Sequence, residues 1–310
     1  MQRLTGERGA VGVVVALLMV PLIGFAALGV DVAGMWAERQ QLQTGADAAA
    51  LAVAQDCARG SCSDAAATAQ SIARLNVNDR QVTTSITSRT AGGVTVRADG
   101  SRQHVFAPLI GVDTSQITTT ATVRWGAPSG GTAVLPLAFS WCEFSAQTGG
   151  GLPSGTTERT IKLTKSSGVT SCTGPSRNLV PGGFGWLESP SRCHSTTATG
   201  DQVMSDPGNS VPNSCSLADF TALLGKTVLL PLFDDYGGEG SSAWYRIYGY
   251  AAFTVTGYDF SGQYSTSPSP CHGNERCVSG YFTRFVDQSS AFQYSDTAPQ
   301  LGASVLSLTD

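Results

Sequence analysis

The chain has 310 residues, enough for about two domains, and its formal net charge is -4. A charge of that sign and size provides no electrostatic footprint for nucleic acid, so we expect no nucleic-acid partner. Charged residues make up only 14% of the chain, against roughly 25% in typical soluble domains, and Gly, Ser, Thr and Ala take their place. This neutral, polar composition is common in secreted β-rich proteins.

An uncharged, apolar run extends from Val11 to Val30 near the start of the chain. At about 1.5 Å per residue, a helix of this length spans roughly 30 Å, the thickness of the hydrocarbon core of a bilayer. Arg3 and Arg8 precede the run and Asp31 follows it. Because positive charge stays on the cytoplasmic side, we expect residues 1–10 to be cytoplasmic, 11–32 to cross the cell membrane once, and the remainder to be extracellular.

A cleaved signal peptide is the alternative interpretation of this run. Ala27-Leu28-Gly29 resembles a small-x-small cleavage site. The run is longer than the 7–15 apolar residues of a usual signal peptide, however, and the helical pattern continues past it. We therefore favour a retained anchor.

The helical pattern continues outside the predicted membrane segment. Leu42, Ala46, Ala49 and Val53 recur at the spacing of one helix face, which predicts a single helix over about residues 9–56. Small residues on this helix form a ridge that another helix could approach closely. With two acidic residues added, the candidates for helix association are Gly29, Asp31, Ala33, Ala37 and Asp47.

Residues 33–125 are predicted to form a helical hairpin and a small sheet. Ser63 or Asp64 can cap a second helix that ends near Leu75. Alternation with a period of two then predicts four strands, and Asp99-Gly100 is a typical hairpin turn between two of them. These strands are Val82 to Ser88, Gly93 to Ala98, Gln103 to Phe106 and Ile117 to Trp125. The Gly- and Ser-rich residues 126–132 have the composition of a linker.

Residues 133–310 are predicted to form a β-rich extracellular domain. All eight tyrosines lie after residue 235, and the aromatic stretch from Tyr245 to Tyr258 is typical of a central strand or hairpin. A short helix is predicted over Leu217 to Leu224. The predicted strands are Val134 to Phe139, Arg159 to Thr164, Thr227 to Phe233, Trp244 to Asp259 and Gly280 to Asp287.

The cysteine count is even and no CxxC pair is present, which favours disulfides over a zinc or thioredoxin-type site. The exported location predicted above provides the oxidising compartment that disulfides need. Among the 15 pairings open to the last six cysteines, nearest neighbours are the preferred prediction. The candidates are Cys57 with Cys62, Cys142 with Cys172, Cys193 with Cys215, and Cys271 with Cys277.

We predict no catalytic residues, cofactor or metal. The three histidines lack metal-ligand spacing, and Gly225-Lys226-Thr227 lacks the preceding glycine of a phosphate-binding loop. Asp234, Asp235 and Glu239 could hold Ca²⁺ through carboxylate oxygens, but a solvated turn is the favoured interpretation. An extracellular hydrolase is the least favoured function because no catalytic motif is present.

The sequence around the predicted anchor resembles a known family. Gly29-Val-Asp-Val-Ala33 and the block Gln41-Leu-Gln-Thr-Gly-Ala-Asp-Ala-Ala-Ala-Leu-Ala52 resemble TadE/TadG-like proteins of the Flp (Tad) pilus-assembly system, over roughly residues 5–58. The resemblance implies a membrane-anchored, pilin-like or assembly component whose partners are other Tad pilus-assembly or pilin-like membrane proteins. Long exported C-terminal regions of this kind are found in actinobacteria. Gly6 and Gly9 lack a glutamate five residues later, so pilin-type processing is not expected.

Together these features predict an α+β protein: a transmembrane, pilin-like long helix with a small sheet, followed by a β-rich, disulfide-stapled extracellular domain. The expected function is a structural or assembly component of a Tad pilus system. A cell-surface binding or adhesion module carried on a Tad-like anchor is the alternative. Pilus genes beside this gene would favour the first function, and an isolated gene the second.

Overall fold

The computed structural model describes residues 7–78, 81–165, 170–190 and 192–309. Arg3 and most of the predicted cytoplasmic segment, as well as the side chain of Arg8, lie outside the described residues. The chain divides into two compact units. Unit 1 comprises Met1–Arg124 and Leu308–Asp310, and unit 2 comprises Trp125–Ser307.

Unit 1 is built on one long helix, α1, Glu7–Ala58, which confirms the predicted single helix and continues through Pro21. A second helix, α2, Ala65–Asn76, packs against it. Asp64 occupies the N-cap position of α2, but its side chain makes no capping hydrogen bond, so the predicted side-chain cap is wrong.

The sheet of unit 1 is antiparallel and consists of β1, Thr83–Thr90, β2, Gly93–Gln103, and the first part of β3, Thr114–Ala133. The predicted hairpin turn at Asp99-Gly100 is wrong: both residues lie inside β2, opposite Thr118 and Ile117. The predicted strand over Gln103 to Phe106 is also wrong after its first residue. The chain there leaves the sheet and enters a 3-10 turn, Ala107–Ile110.

The core of unit 1 lies between α1, α2 and β2. The predicted helix face of Leu42, Ala46, Ala49 and Val53 is completely buried, which confirms the period of 3.6 as the correct interpretation. Small side chains on both helices allow a close approach of their backbones. The partners of this face are Ala65, Ala69 and Ala73 of α2 and Val94, Val96 and Ala98 of β2.

Unit 2 is β-rich, as predicted, and includes two short helices, α3, Trp141–Thr148, and α4, Leu217–Thr221. The remaining strands, the last of which ends in unit 1, are β4 Leu137–Ser140, β5 Arg159–Lys162, β6 Cys172–Thr173, β7 Leu179–Val180, β8 Phe184–Trp186, β9 Ser195–Ala198, β10 Gln202–Met204, β11 Thr227–Gly237, β12 Trp244–Asp259, β13 Cys277–Thr283, β14 Phe285–Asp287, β15 Phe292–Ser295 and β16 Ala303–Thr309. The main sheet of unit 2 has the order β5-β13-β12-β11-β4-β8, with β10 paired to β12; β4 and β11 pair in parallel, and the other described strand pairs of this sheet are antiparallel.

Residues 126–132 are not the linker that their composition predicted, because they form the second part of β3 and pair with β9 and β15. The glycines permit close pairing on this strand. A Cβ at Gly131 would lie 2.8 Å from Phe292 Cα, and one at Gly126 would lie 2.8 Å from Tyr294 Cδ2. Glycine in this stretch therefore marks a crowded strand rather than a flexible connection.

Aromatic side chains fill the core of unit 2. Phe139 packs on Phe253 with ring centroids 4.7 Å apart, and Trp186 packs on Phe260 at 5.0 Å in an edge-to-face arrangement. Tyr250 is completely buried. The aromatic stretch from Tyr245 to Tyr258 thus contributes to packing in β12.

Candidate functional site

The first half of α1 carries a bare apolar surface. From Val11 to Val30 nearly every side chain is exposed, including Val20 at 73% and Phe25 at 72%. Among the described residues, this is the one helix long and apolar enough to cross a membrane, and none of its most apolar window is buried within the protein. A surface of this size on a helix is typical of a segment that meets lipid.

Asp31 ends the bare surface and ties α1 to the loop after β2. Its Oδ1 accepts a hydrogen bond from the Val105 N–H at 2.7 Å, and its Oδ2 accepts from Phe106 and Ala107 at 3.0 and 2.8 Å. The residue is only 8% exposed, yet its carboxylate is well satisfied by these donors. Three backbone donors on one carboxylate fix both the loop and the rotation of the helix.

Above Asp31, the same face of α1 continues along β2. The guanidinium of Arg102 lies over Gly34, where a Cβ would be 3.0 Å from Nη2, and Arg102 Nη1 lies 3.9 Å from Glu38 Oε2. Glu38 is buried, so the arginine offsets a carboxylate that has been taken out of water. Residues 31, 34, 38 and 42 therefore form one docked face against the loop and the sheet.

The predicted ridge of Gly29, Ala33 and Ala37 lies on another side of the helix. All three residues are exposed, and a Cβ at Gly29 would meet nothing within 4 Å. At about 100° per residue, the ridge is centred roughly 145° around the helix from the docked face. The sheet therefore leaves this ridge uncovered.

Asp47, the last candidate for helix association, is half-buried within unit 1. Its Oδ1 accepts a hydrogen bond from Gln43 Nε2 at 2.8 Å, and the same amide also donates to Thr120 O at 3.1 Å. Like Asp31, this carboxylate has a partner inside its own chain.

All eight cysteines are joined in the nearest-neighbour pattern. The Cys57–Cys62 bridge lies between the end of α1 and the start of α2, where it closes the hairpin. The other three bridges, Cys142–Cys172, Cys193–Cys215 and Cys271–Cys277, lie in unit 2.

The acidic cluster of unit 2 is arranged differently from either sequence interpretation. Asp234 and Asp235 lie in β11, not in a turn, and the buried Asp234 carboxylate accepts hydrogen bonds from Arg246 at 3.2 Å and 3.3 Å. Glu239 lies beyond the end of the strand. Among the described residues, no group of three or more His, Cys, Asp or Glu side chains could hold a metal ion.

Sequence reasoning missed the apolar loop that Asp31 holds. Leu109 is 87% exposed and Ile110 77%, and Val105 is exposed as well. The signal was available, because no charged or polar side chain occurs between His104 and Asp113. The alternation of residues 103–106 pointed instead to a strand.

Comparison with known proteins gives a match over the long helix α1. No curated protein and no solved structure matches the chain. The segment that does match covers α1 almost from end to end, and so includes the bare apolar half, Asp31, the exposed ridge and the face buried against α2. Residues 9–56 match the family described as "Putative Flp pilus-assembly TadE/G-like", and in this segment the chain is similar to that family.

Proposed function

We propose that this protein is a structural or assembly component of a Tad-type pilus system and not an enzyme. The observation that carries the proposal is the coincidence of the family match over residues 9–56 with a helix that is bare in its first half and docked in its second. One half is suited to lipid and the other supports a folded domain.

In this proposal, residues 11–32 cross the cytoplasmic membrane once and the chain beyond them is exported. Arg3 and Arg8 before the apolar run support a cytoplasmic N-terminus. Four disulfides support an oxidising compartment for the rest of the chain. A reporter enzyme active only outside the cytoplasm, fused after Asp310, should be active; activity only from a cytoplasmic reporter at the same position would refute this topology.

The proposed partners are other Tad pilus-assembly or pilin-like membrane proteins, and the proposed contact is the ridge of Gly29, Ala33 and Ala37. The exposure of this ridge, together with its place on the side away from the sheet, supports a helix–helix contact. The carboxylates of Asp31 and Asp47 already have partners within the chain, which makes the small residues the stronger candidates.

Capture of membrane partners by the tagged protein tests this contact. Ala33→Leu places a bulky side chain on the ridge and should reduce capture, whereas the same substitution at Ala16, an exposed alanine on another side of α1, should not. Asp47→Ala should leave capture unchanged. Equal capture by Ala33→Leu and Ala16→Leu would remove the ridge from the proposal.

A further inference from the structure

The apolar loop Val105–Val112 forms a second exposed hydrophobic surface in unit 1. Its sequence, Val-Phe-Ala-Pro-Leu-Ile-Gly-Val, contains no polar side chain. Its most exposed members are Leu109 and Ile110, at 87% and 77%. Isolated exposed leucines need no explanation, but a contiguous patch at the tip of one loop indicates a contact surface.

The position of the loop indicates what it contacts. An apolar groove of about 420 Å³ lies between the loop and α1, open to the outside. Pro21 is ten residues before Asp31, which corresponds to roughly 15 Å along the helix. The groove therefore runs beside the outer half of the apolar span. Its lining residues on the two sides are Pro21, Gly24, Phe25 and Leu28, and Phe106, Leu109 and Ile110.

Most backbone N–H groups of the loop have an acceptor within unit 1, as a segment in lipid requires. In hydrocarbon an N–H without an acceptor costs several kcal/mol. The first N–H groups of the loop donate to the Asp31 carboxylate. Pro108 has no N–H, Leu109 donates to Phe106 O, Gly111 to Pro108 O, and Val112 to Ala107 O.

We propose that Val105–Val112 is a re-entrant membrane contact that inserts into the outer leaflet, with a lipid acyl chain in the groove beside α1. The inference rests on the proposed function, because it takes α1 as the membrane anchor. The loop surface is continuous with the exposed apolar surface of that anchor, has no charge to pair with a protein partner, and lies at the same depth. Both walls of the groove, α1 and the loop, would therefore be in contact with lipid, which makes a lipid acyl chain the expected occupant of the groove.

The disulfides make a direct test practical. Since all eight native cysteines are bridged, one added cysteine provides a unique thiol in the oxidised full-length chain. Leu109→Cys places an environment-sensitive fluorophore on the loop. Leu28→Cys places it on the anchor, and Leu75→Cys places it on an exposed leucine of α2. The end of α2 packs near Gly45, roughly 20 Å beyond Asp31 along α1, so position 75 reports on the aqueous side.

Each labelled protein is reconstituted in phosphatidylcholine vesicles with and without lipids that carry a nitroxide quencher on the acyl chain. The proposal expects a loss of fluorescence at position 109 comparable with that at position 28, and no loss at position 75. Quenching at 28 without quenching at 109 would overturn the loop insertion and leave the anchor intact. An absence of quenching at 28 would overturn the anchor itself, and the loop proposal with it. A fluorophore at 109 that is shielded from water but not quenched would assign the loop to a protein contact and refute the lipid assignment.

Discussion

Leu42 of α1 occupies the space above Gly100 of β2, where a side chain would otherwise stand. A Cβ at Gly100 would lie 2.9 Å from Leu42 Cδ1, and Leu42 is completely buried, so it has nowhere to move. The glycine that the sequence placed in a turn is therefore a point at which helix and sheet approach closely.

Gly100→Val should destabilise unit 1 by about 1–3 kcal/mol, because it overpacks a buried contact. Ser101→Val, an exposed neighbour on the same strand, should change the free energy of unfolding by less than about 0.5 kcal/mol. Urea unfolding of the two variants in detergent micelles measures both values. Equal stability of the two variants would show that Leu42 has room to shift.

Asp31→Ala should release the loop from α1. The three N–H groups at residues 105–107 lose a charged acceptor, and a hydrogen bond of this kind contributes about 1.5–3 kcal/mol. We expect hydrogen exchange of these amides to accelerate by roughly 10- to 100-fold. Asp113→Ala, which removes an exposed carboxylate at the other end of the loop, should leave their exchange unchanged.

Removal of the Cys142–Cys172 bridge should cost more stability than removal of Cys271–Cys277. The bridges close segments with sequence separations of 30 and 6. On the loop-entropy model these correspond to about 3.6 and about 2 kcal/mol. Paired Cys→Ala variants, unfolded in urea and followed by near-ultraviolet circular dichroism of the aromatic core, should show this order. The reverse order would mean that native packing around the bridges outweighs chain entropy.

Tyr250 should make the stability of unit 2 depend on pH in the alkaline range. Burial raises the pKa of the Tyr250 phenol to about 12, and the negative charge of Asp201 adds to the increase. Because the folded pKa exceeds the unfolded value of about 10, the neutral phenol stabilises the fold. That contribution is complete below pH 10 and should be lost as the pH rises through about 12. The free energy of unfolding of the unsubstituted protein should therefore fall between about pH 10 and pH 12. In Tyr250→Phe this part of the decrease should be absent.

Tyr250→Phe should also be destabilising at neutral pH. The hydroxyl donates to the carbonyl of Thr197 and contacts its Oγ1 at 2.7 Å, and both residues are buried. An acceptor left without its donor in the core costs about 1–3 kcal/mol. Tyr236→Phe removes a hydroxyl from a tyrosine that is 48% exposed and should change the midpoint of unfolding little.

The predictions from sequence that agree with the structure were made where the residue pattern is strong and continuous. The exposed apolar half of α1 followed from its apolar length, and the buried face of α1 from the spacing of Leu42, Ala46, Ala49 and Val53. The span of β12 matched its prediction at both ends. In each case one physical requirement, a continuous apolar surface or a buried core face, determines the residues of the pattern.

The errors arose where a residue type has two physical uses. Glycine often occurs in turns, but at Gly100 and Gly131 another segment of the protein is too close to leave room for a side chain. The role of Asp31 could not be predicted either, since its partners are backbone groups more than 70 positions away. Contacts of this kind depend on the tertiary fold and leave no local trace in the sequence.

The unbroken course of α1 has a mechanical consequence. With 52 residues it is roughly 78 Å long, and it continues without interruption from the bare half to the half fastened to the loop and sheet of unit 1 at Asp31, Arg102 and Leu42. In the proposed membrane anchor, a tilt or rotation of the bare half would therefore be transmitted to the second helix and sheet of unit 1 as rigid-body motion. A tensile load on unit 1 would return along the same helix axis.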